Sequence, residues 1–267
     1  MIHVEILKQD ILKQDIDTRP CEDAVERDRH KETKRMTKRQ KNLKLKQELE
    51  ELGRVDIDVD TLFDSYLGGD QVKRILKTYT YFEALFQRFD IYTTRFTSET
   101  YEENRAYKQN KLDGFKGSLY STTLPFPVNA SLSKYFFVLD MNNTTNKLMG
   151  IGFVKNILAK EQNIRVHRRQ GFNLNIFKSD FYISLDSLDS LDSLDSLDSV
   201  DKGGRSLWKT FLAKEFESYL FYGKSNMKRG GAFTRFPLKK MEYKHLKFLL
   251  MLFVAINPAG FNRIVSL

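Results

Sequence analysis

The chain is poor in the residues that staple, ligate or catalyse. It has one cysteine, Cys21, in a charged N-terminal stretch. A lone thiol builds no intrachain disulfide framework, and a Cys-ligated zinc site needs more than one, so the expectation is a reducing compartment. Four histidines are present, His3, His30, His167 and His245, and no two are spaced four apart as a helical zinc pair requires. There is no GxSxG, and Cys21 lies outside the part of the chain expected to fold, so a nucleophile–base pair is hard to assemble. The longest apolar run, from Phe248 to Ile256, is far short of the roughly 20 residues that span a bilayer. The first ten residues carry acids and do not read as a signal peptide. The expectation is a soluble protein that is not an enzyme and needs no cofactor.

Aromatic residues and positive charge are plentiful. There are 21 Phe and 12 Tyr, enough to pack a sizeable core. Lys and Arg number 44 against 35 Asp and Glu, a formal net charge of +9. A basic surplus attracts phosphate, in nucleic acid or on a lipid surface, and does not choose between them.

Three regions follow from composition. Residues 1–53 form a charged extension, partly helical and partly disordered. ILKQD occurs twice in tandem (Ile6–Asp10, Ile11–Asp15), and Arg29 to Lys46 is rich in Lys and Arg with one acid, Glu32. Such a run is a solvated face or flexible arm, or else an import signal or nucleic-acid arm. Residues 54–89 read as a helical lead-in, with Val72, Ile75, Leu76, Tyr79, Phe82, Leu85 and Phe86 at helical spacing. Residues 90–256 read as one α+β domain. Its elements are a strand at Asp90–Phe96, a hairpin spanning Tyr135 to Val154, strand-like material in Arg165–Tyr182, a helix from Leu207 to Tyr222 and a last apolar element from Leu238 to Ile256. The SLD repeat in 184–201 has a period of three, which suits neither helix nor strand, and reads as a low-complexity surface loop. Gly150 and Gly152 alternate with apolar residues and share one strand face. There they admit a close backbone, an aromatic side chain or a ligand, and often mark a barrel bend.

The segment from Tyr222 to Pro237 is the most distinctive polar stretch. Gly223-Lys224-Ser225 carries the tail of a phosphate loop, but Ser218 stands where its first glycine is required, so nucleotide hydrolysis is not expected. Lys224, Lys228, Arg229 and Arg235 supply charge beside glycines whose N–H groups can face an anion, and they are candidate contacts to a nucleic-acid backbone. Without such contacts the segment is an ordinary basic surface loop. Tyr92, Phe172 and Tyr182 are candidates for base stacking, while most other aromatics belong to the core.

Two segments carry a family likeness. Phe136 to Val154, an apolar strand, an Asn-rich turn and a glycine-bearing return strand, resembles the central hairpin of PUA-like domains of the YTH and EVE type. Asn226 to Pro237 is similar to the basic loop before the closing helix of YTH domains. The resemblance spans about residues 88–253. It implies a small β-barrel flanked by helices that reads a modified base in RNA or DNA. It places Lys228 and Arg229 on phosphate and a pocket near Asn142; with the stacking candidates added, the expected base pocket comprises Tyr92, Asn142, Asn143, Asn146 and Phe172. YTH domains hold the base in a cage formed chiefly by tryptophans. The single tryptophan here, Trp208, lies on the expected helix before the basic loop, so the cage is not carried over. The chain also resembles proteins of large eukaryotic DNA viruses, which implies a cytoplasmic or nuclear setting, including host cytoplasm or a virion. The expected function is binding of single-stranded RNA or another nucleic acid. The alternative is a structural or interaction protein, a virion or scaffold component, meeting a protein partner through its N-terminal helix.

Overall fold

The computed structural model describes residues 40, 59, 74, 77–124, 134–159, 164–185, 207–223, 226–229, 232–256 and 261. Two compact units divide at Arg54/Val55, and the first is described at Gln40 alone, which is helical. The ILKQD duplication, the basic run, most of the helical lead-in and the SLD repeat beyond Leu185 lie outside the described residues.

The second unit is α+β, as expected. Its elements in order are α1 (Phe82–Arg88), β1 (Phe89–Phe96), α2 (Ser98–Lys111), β2 (Ser118–Thr122), β3 (Tyr135–Asn142), β4 (Lys147–Lys155), β5 (Asn175–Ser179) and β6 (Phe181–Ser184). A helix α3 follows, formed by Leu207–Leu212, a wide π turn at Ala213–Glu217, and Ser218–Phe221. Then come β7 (Phe233–Arg235) and α4 (Tyr243–Ile256). The amphipathic pattern expected to run as one helix through Phe86 is interrupted. Tyr79 and Thr80 are non-helical, and Tyr81 enters α1 in an extended conformation.

Five strands form one sheet in the order β6-β4-β3-β1-β7, with β1 and β3 parallel and the other pairs antiparallel. The crossover from β1 to β3 passes through α2 and β2. β2 pairs with β5 as a separate two-stranded ribbon. The closed barrel implied by the resemblance is therefore corrected to an open sheet. β7 offers three residues and β6 four, and neither pairs as a strand with the β2–β5 ribbon, so the ladder ends at two edges.

The alternating side chains of the sheet feed two cores. Phe89, Ile91, Phe137, Leu139, Ile151 and Phe153 face α1, α3 and α4. α4 is buried along nearly its whole length, from His245 to Ala255, which explains why its sequence is apolar all round. Phe211 stacks on Phe248 at 4.2 Å, joining α3 to α4. On the other face Tyr92, Phe96, Phe136, Val138 and Val154 pack against Tyr120 and Phe177 of the ribbon.

That second face explains the glycine pair. Gly152 and Gly150 lie opposite Val138 and Asp140 in the β3–β4 register. A Cβ at 152 would overlap the Tyr120 hydroxyl, and one at 150 the Tyr182 hydroxyl. Of the options the pattern allowed, the structure uses close approach of an aromatic side chain.

Candidate nucleic-acid interface

The hairpin turn is built by asparagines. Asn142 Oδ1 accepts from the Thr144 and Thr145 N–H groups at 2.9 and 3.2 Å. The Asn146 N–H donates to the Asn142 carbonyl at 2.8 Å, and Asn146 takes φ +58°, a left-handed conformation that asparagine tolerates. Asn142 is buried and its amide also donates to Ser98 Oγ at 3.4 Å, so its side chain is engaged in joining the turn to α2. Asn143 is half-buried and links the turn to two other segments. Its backbone N–H donates to the Phe96 carbonyl at 2.9 Å and its Nδ2 to the Lys228 carbonyl at 3.2 Å. The Asn turn and the cationic segment are thus in direct contact.

A cleft of about 320 Å³ opens beside them, walled by Thr94 and Phe96 of β1, Thr100 of α2, Ser121–Thr123, His167, Phe172 and Ala232. Ala232 belongs to the cationic segment, three residues beyond Arg229. The loop 167–173 adds His167 and Phe172 to the lining. Asn173 closes this loop on itself, its Oδ1 accepting from the His167 N–H at 2.9 Å and its Nδ2 donating to the His167 carbonyl at 2.8 Å. Ser121 Oγ fastens it to the ribbon by donating to the Phe172 carbonyl at 2.8 Å. The half-buried Phe172 ring is therefore held on a fixed loop, with the Arg169 guanidinium 5.2 Å from its centroid and the His167 ring edge-on at 6.0 Å. Arg168 and Arg169 stand exposed at the loop tip.

His167 is buried, and its Nδ1 lies 3.0 Å from Glu103 Oε2 of α2. A carboxylate can only accept, so Nδ1 carries the proton. In the neutral ring Nε2 is then an acceptor available to a ligand donor.

The other expected contacts are placed as follows. Tyr92 is buried between the sheets with its ring 4.8 Å from Phe136, a core position. Lys228 is half-buried and Arg229 exposed, whereas Lys224 lies outside the described residues. Arg235 is engaged internally. Its guanidinium pairs with Asp90 at 2.7 Å and lies 5.0 Å from the Phe86 centroid. Burial raises the Asp90 carboxyl, and Arg235 opposes that rise. Asn143 thus touches Lys228, Phe172 lines a cleft with Ala232, and Tyr92 and Arg235 belong to the packing of β1. Reasoning from sequence missed the part of His167 and Glu103, because Glu103 lies 64 residues away on a helix without an apolar stripe.

Among the described residues no three His, Cys, Asp or Glu side chains gather as a metal site, and no helix is long and apolar enough to cross a membrane. Comparison of the chain with protein-family models, with curated proteins and with solved structures returned no match.

Proposed function

We propose that the second unit is a non-catalytic module that binds single-stranded nucleic acid, RNA in the first instance, with one unstacked base in the cleft between Phe172 and Ala232. The observation that carries this reading is the shared cleft. A fixed aromatic ring and Ala232 of the cationic segment line the same cleft, and exposed Arg168, Arg169 and Arg229 lie on the two segments that contribute to it. Stacking on an aromatic face is how splayed bases are usually held, and flanking cations secure the phosphates. The resemblance to YTH and EVE domains adds that the base is a modified one.

Fluorescence anisotropy with labelled single-stranded RNA and the full chain tests this. Phe172→Ala is expected to weaken binding by about 1–3 kcal/mol. Lys228→Glu with Arg229→Glu is expected to weaken it further. If both variants bind RNA as tightly as the parent chain, the cleft is not the site.

A second reading has one observation in its favour. Leu124 and Leu174 are 62% and 69% exposed, and the Thr122–Asn175 pairing puts both at the same end of the ribbon. An apolar spot of this kind suits a protein partner. Under that reading a Leu124→Ser/Leu174→Ser variant loses a co-purifying protein and keeps whatever RNA affinity the parent has.

A further inference from the structure

A second cavity, of about 460 Å³, shares no residue with the cleft. α2 lines it with Tyr101, Asn104, Arg105, Lys108 and Gln109, the following turn with Gly114–Lys116, and β6 with Tyr182 and Ser184. Three of these side chains are cationic and none is a carboxylate. Arg105 and Lys116 are exposed, and the Arg105 pairing with Glu102 is a long surface contact at 3.8 Å, of the kind that neutralises little.

Lys108 is the unusual member. Its ammonium is withdrawn from solvent, donating to the Gly117 carbonyl at 3.1 Å and lying 4.3 Å from the Tyr182 ring centroid. Burial lowers its pKa, while Asp140 acts to raise it. Asp140 is a poor counter-charge. It is buried on β3 beside the Tyr120 and Tyr182 hydroxyls, and desolvation lifts its carboxyl to about 7. Near neutral pH it is only partly ionised. The cavity thus gathers three cations with no carboxylate in its lining, and the Asp140 carboxyl that acts on Lys108 is itself partly protonated.

We propose that this cavity is a binding site for a phosphate dianion, free or as the terminal group of a small monoester, held by Arg105, Lys108 and Lys116. Three cations on two elements suit a tetrahedral oxyanion with several acceptor atoms better than a planar carboxylate. The cavity exceeds the needs of an ion, and the Phe115 and Tyr182 rings line it for an organic body. The site stands apart from the nucleic-acid reading and holds or fails independently of it.

Calorimetric titration of the full chain in a phosphate-free chloride buffer tests it, with inorganic phosphate in one arm and glucose 6-phosphate, a monoester with no base to enter the cleft, in the other. Saturable binding in either arm is expected, and it should weaken about tenfold or more in Arg105→Ala/Lys116→Ala. Both substitutions are on the surface, so the variant avoids the folding risk of replacing Lys108. Tighter binding of the monoester assigns the rings to its organic part, while equal binding assigns the site to the ion. Phe172→Ala should leave both arms unchanged. The proposal is overturned if neither probe saturates, if the double variant binds as the parent does, or if Phe172→Ala abolishes binding.

Discussion

At the scale of single residues, Asp140 is the most consequential polar group in the interior. Neither its Oδ1 nor the Tyr120 hydroxyl closes a hydrogen bond of ordinary geometry, so the hydroxyl eases the carboxyl by proximity rather than by a formed bond. Burial dominates, and the folded carboxyl titrates at about 7 against an ordinary value of 3.8. The folded state therefore holds this proton more tightly than the unfolded chain does. Its contribution to stability is complete below the ordinary value and is lost as pH climbs from there to about 7. The loss is at most about 1.4 kcal/mol per pH unit in that window. Asp140→Asn keeps the shape and removes the titration. Urea unfolding at about pH 5 and about pH 8 should show the parent chain weaker at the higher pH by more than the variant is, because the difference isolates this one group. Equal pH responses in the two proteins would mean that Asp140 stays ionised when folded.

Among the elements, α3 is held to α4 by a buried polar knot. The π turn at Ala213–Glu217 carries Glu215, whose Oε2 accepts from His245 Nε2 at 3.2 Å and from Lys244 Nζ at 3.1 Å. His245 Nδ1 accepts the Glu242 N–H at 2.9 Å, which fixes the proton on Nε2 and anchors the residue before α4 in the manner of a capping box. Burial pushes the Glu215 carboxyl up, but the bonds from His245 and Lys244 outweigh it and hold the carboxyl below its ordinary value. Glu215→Ala leaves the His245 Nε2–H buried without an acceptor, which should cost about 1–3 kcal/mol in denaturant unfolding. Glu215→Gln, which retains an acceptor oxygen, should recover part of that. Equal losses in the two variants would assign the effect to packing rather than to the bond.

The elements also show what a sequence can disclose. The β3–β4 hairpin was legible because an apolar strand, an Asn-rich turn and a glycine-bearing return each have a local physical cause. α4 was legible as a buried, helical last element, but not where it begins, because a run that is apolar all round gives no period to mark its start; the helix spans Tyr243–Ile256 rather than starting at Leu238. α2 was not legible. It buries Asn104 alone, has no apolar stripe, and begins with a reciprocal Thr97–Thr100 capping box. β2 hid for another reason. Its burial comes from pairing with β5, and Ser118 meets Ser179 across a separation invisible to any local window. The cleft inherits both difficulties. Phe172 stood out as an aromatic among cations, but the walls that make it a site come from β1, α2, the ribbon and the cationic segment.

For the whole molecule, the formal charge of +9 favours any polyanion without regard to site, so affinity alone would not locate the proposed grip. The salt dependence does. Binding to single strands falls with a slope of about −0.7 in log K against log salt for each phosphate neutralised. If Arg168 and Arg169 each hold one phosphate, Arg168→Ala/Arg169→Ala flattens that slope by about 1.4. Arg235→Ala should leave the slope unchanged, because Arg235 spends its charge on Asp90, and should instead lower stability at the β1–β7 edge. Anisotropy titrations of the three full-length proteins across a salt series separate these outcomes. A slope that responds to Arg235 and ignores Arg168 and Arg169 would move the grip from the cleft to the β7 edge of the sheet.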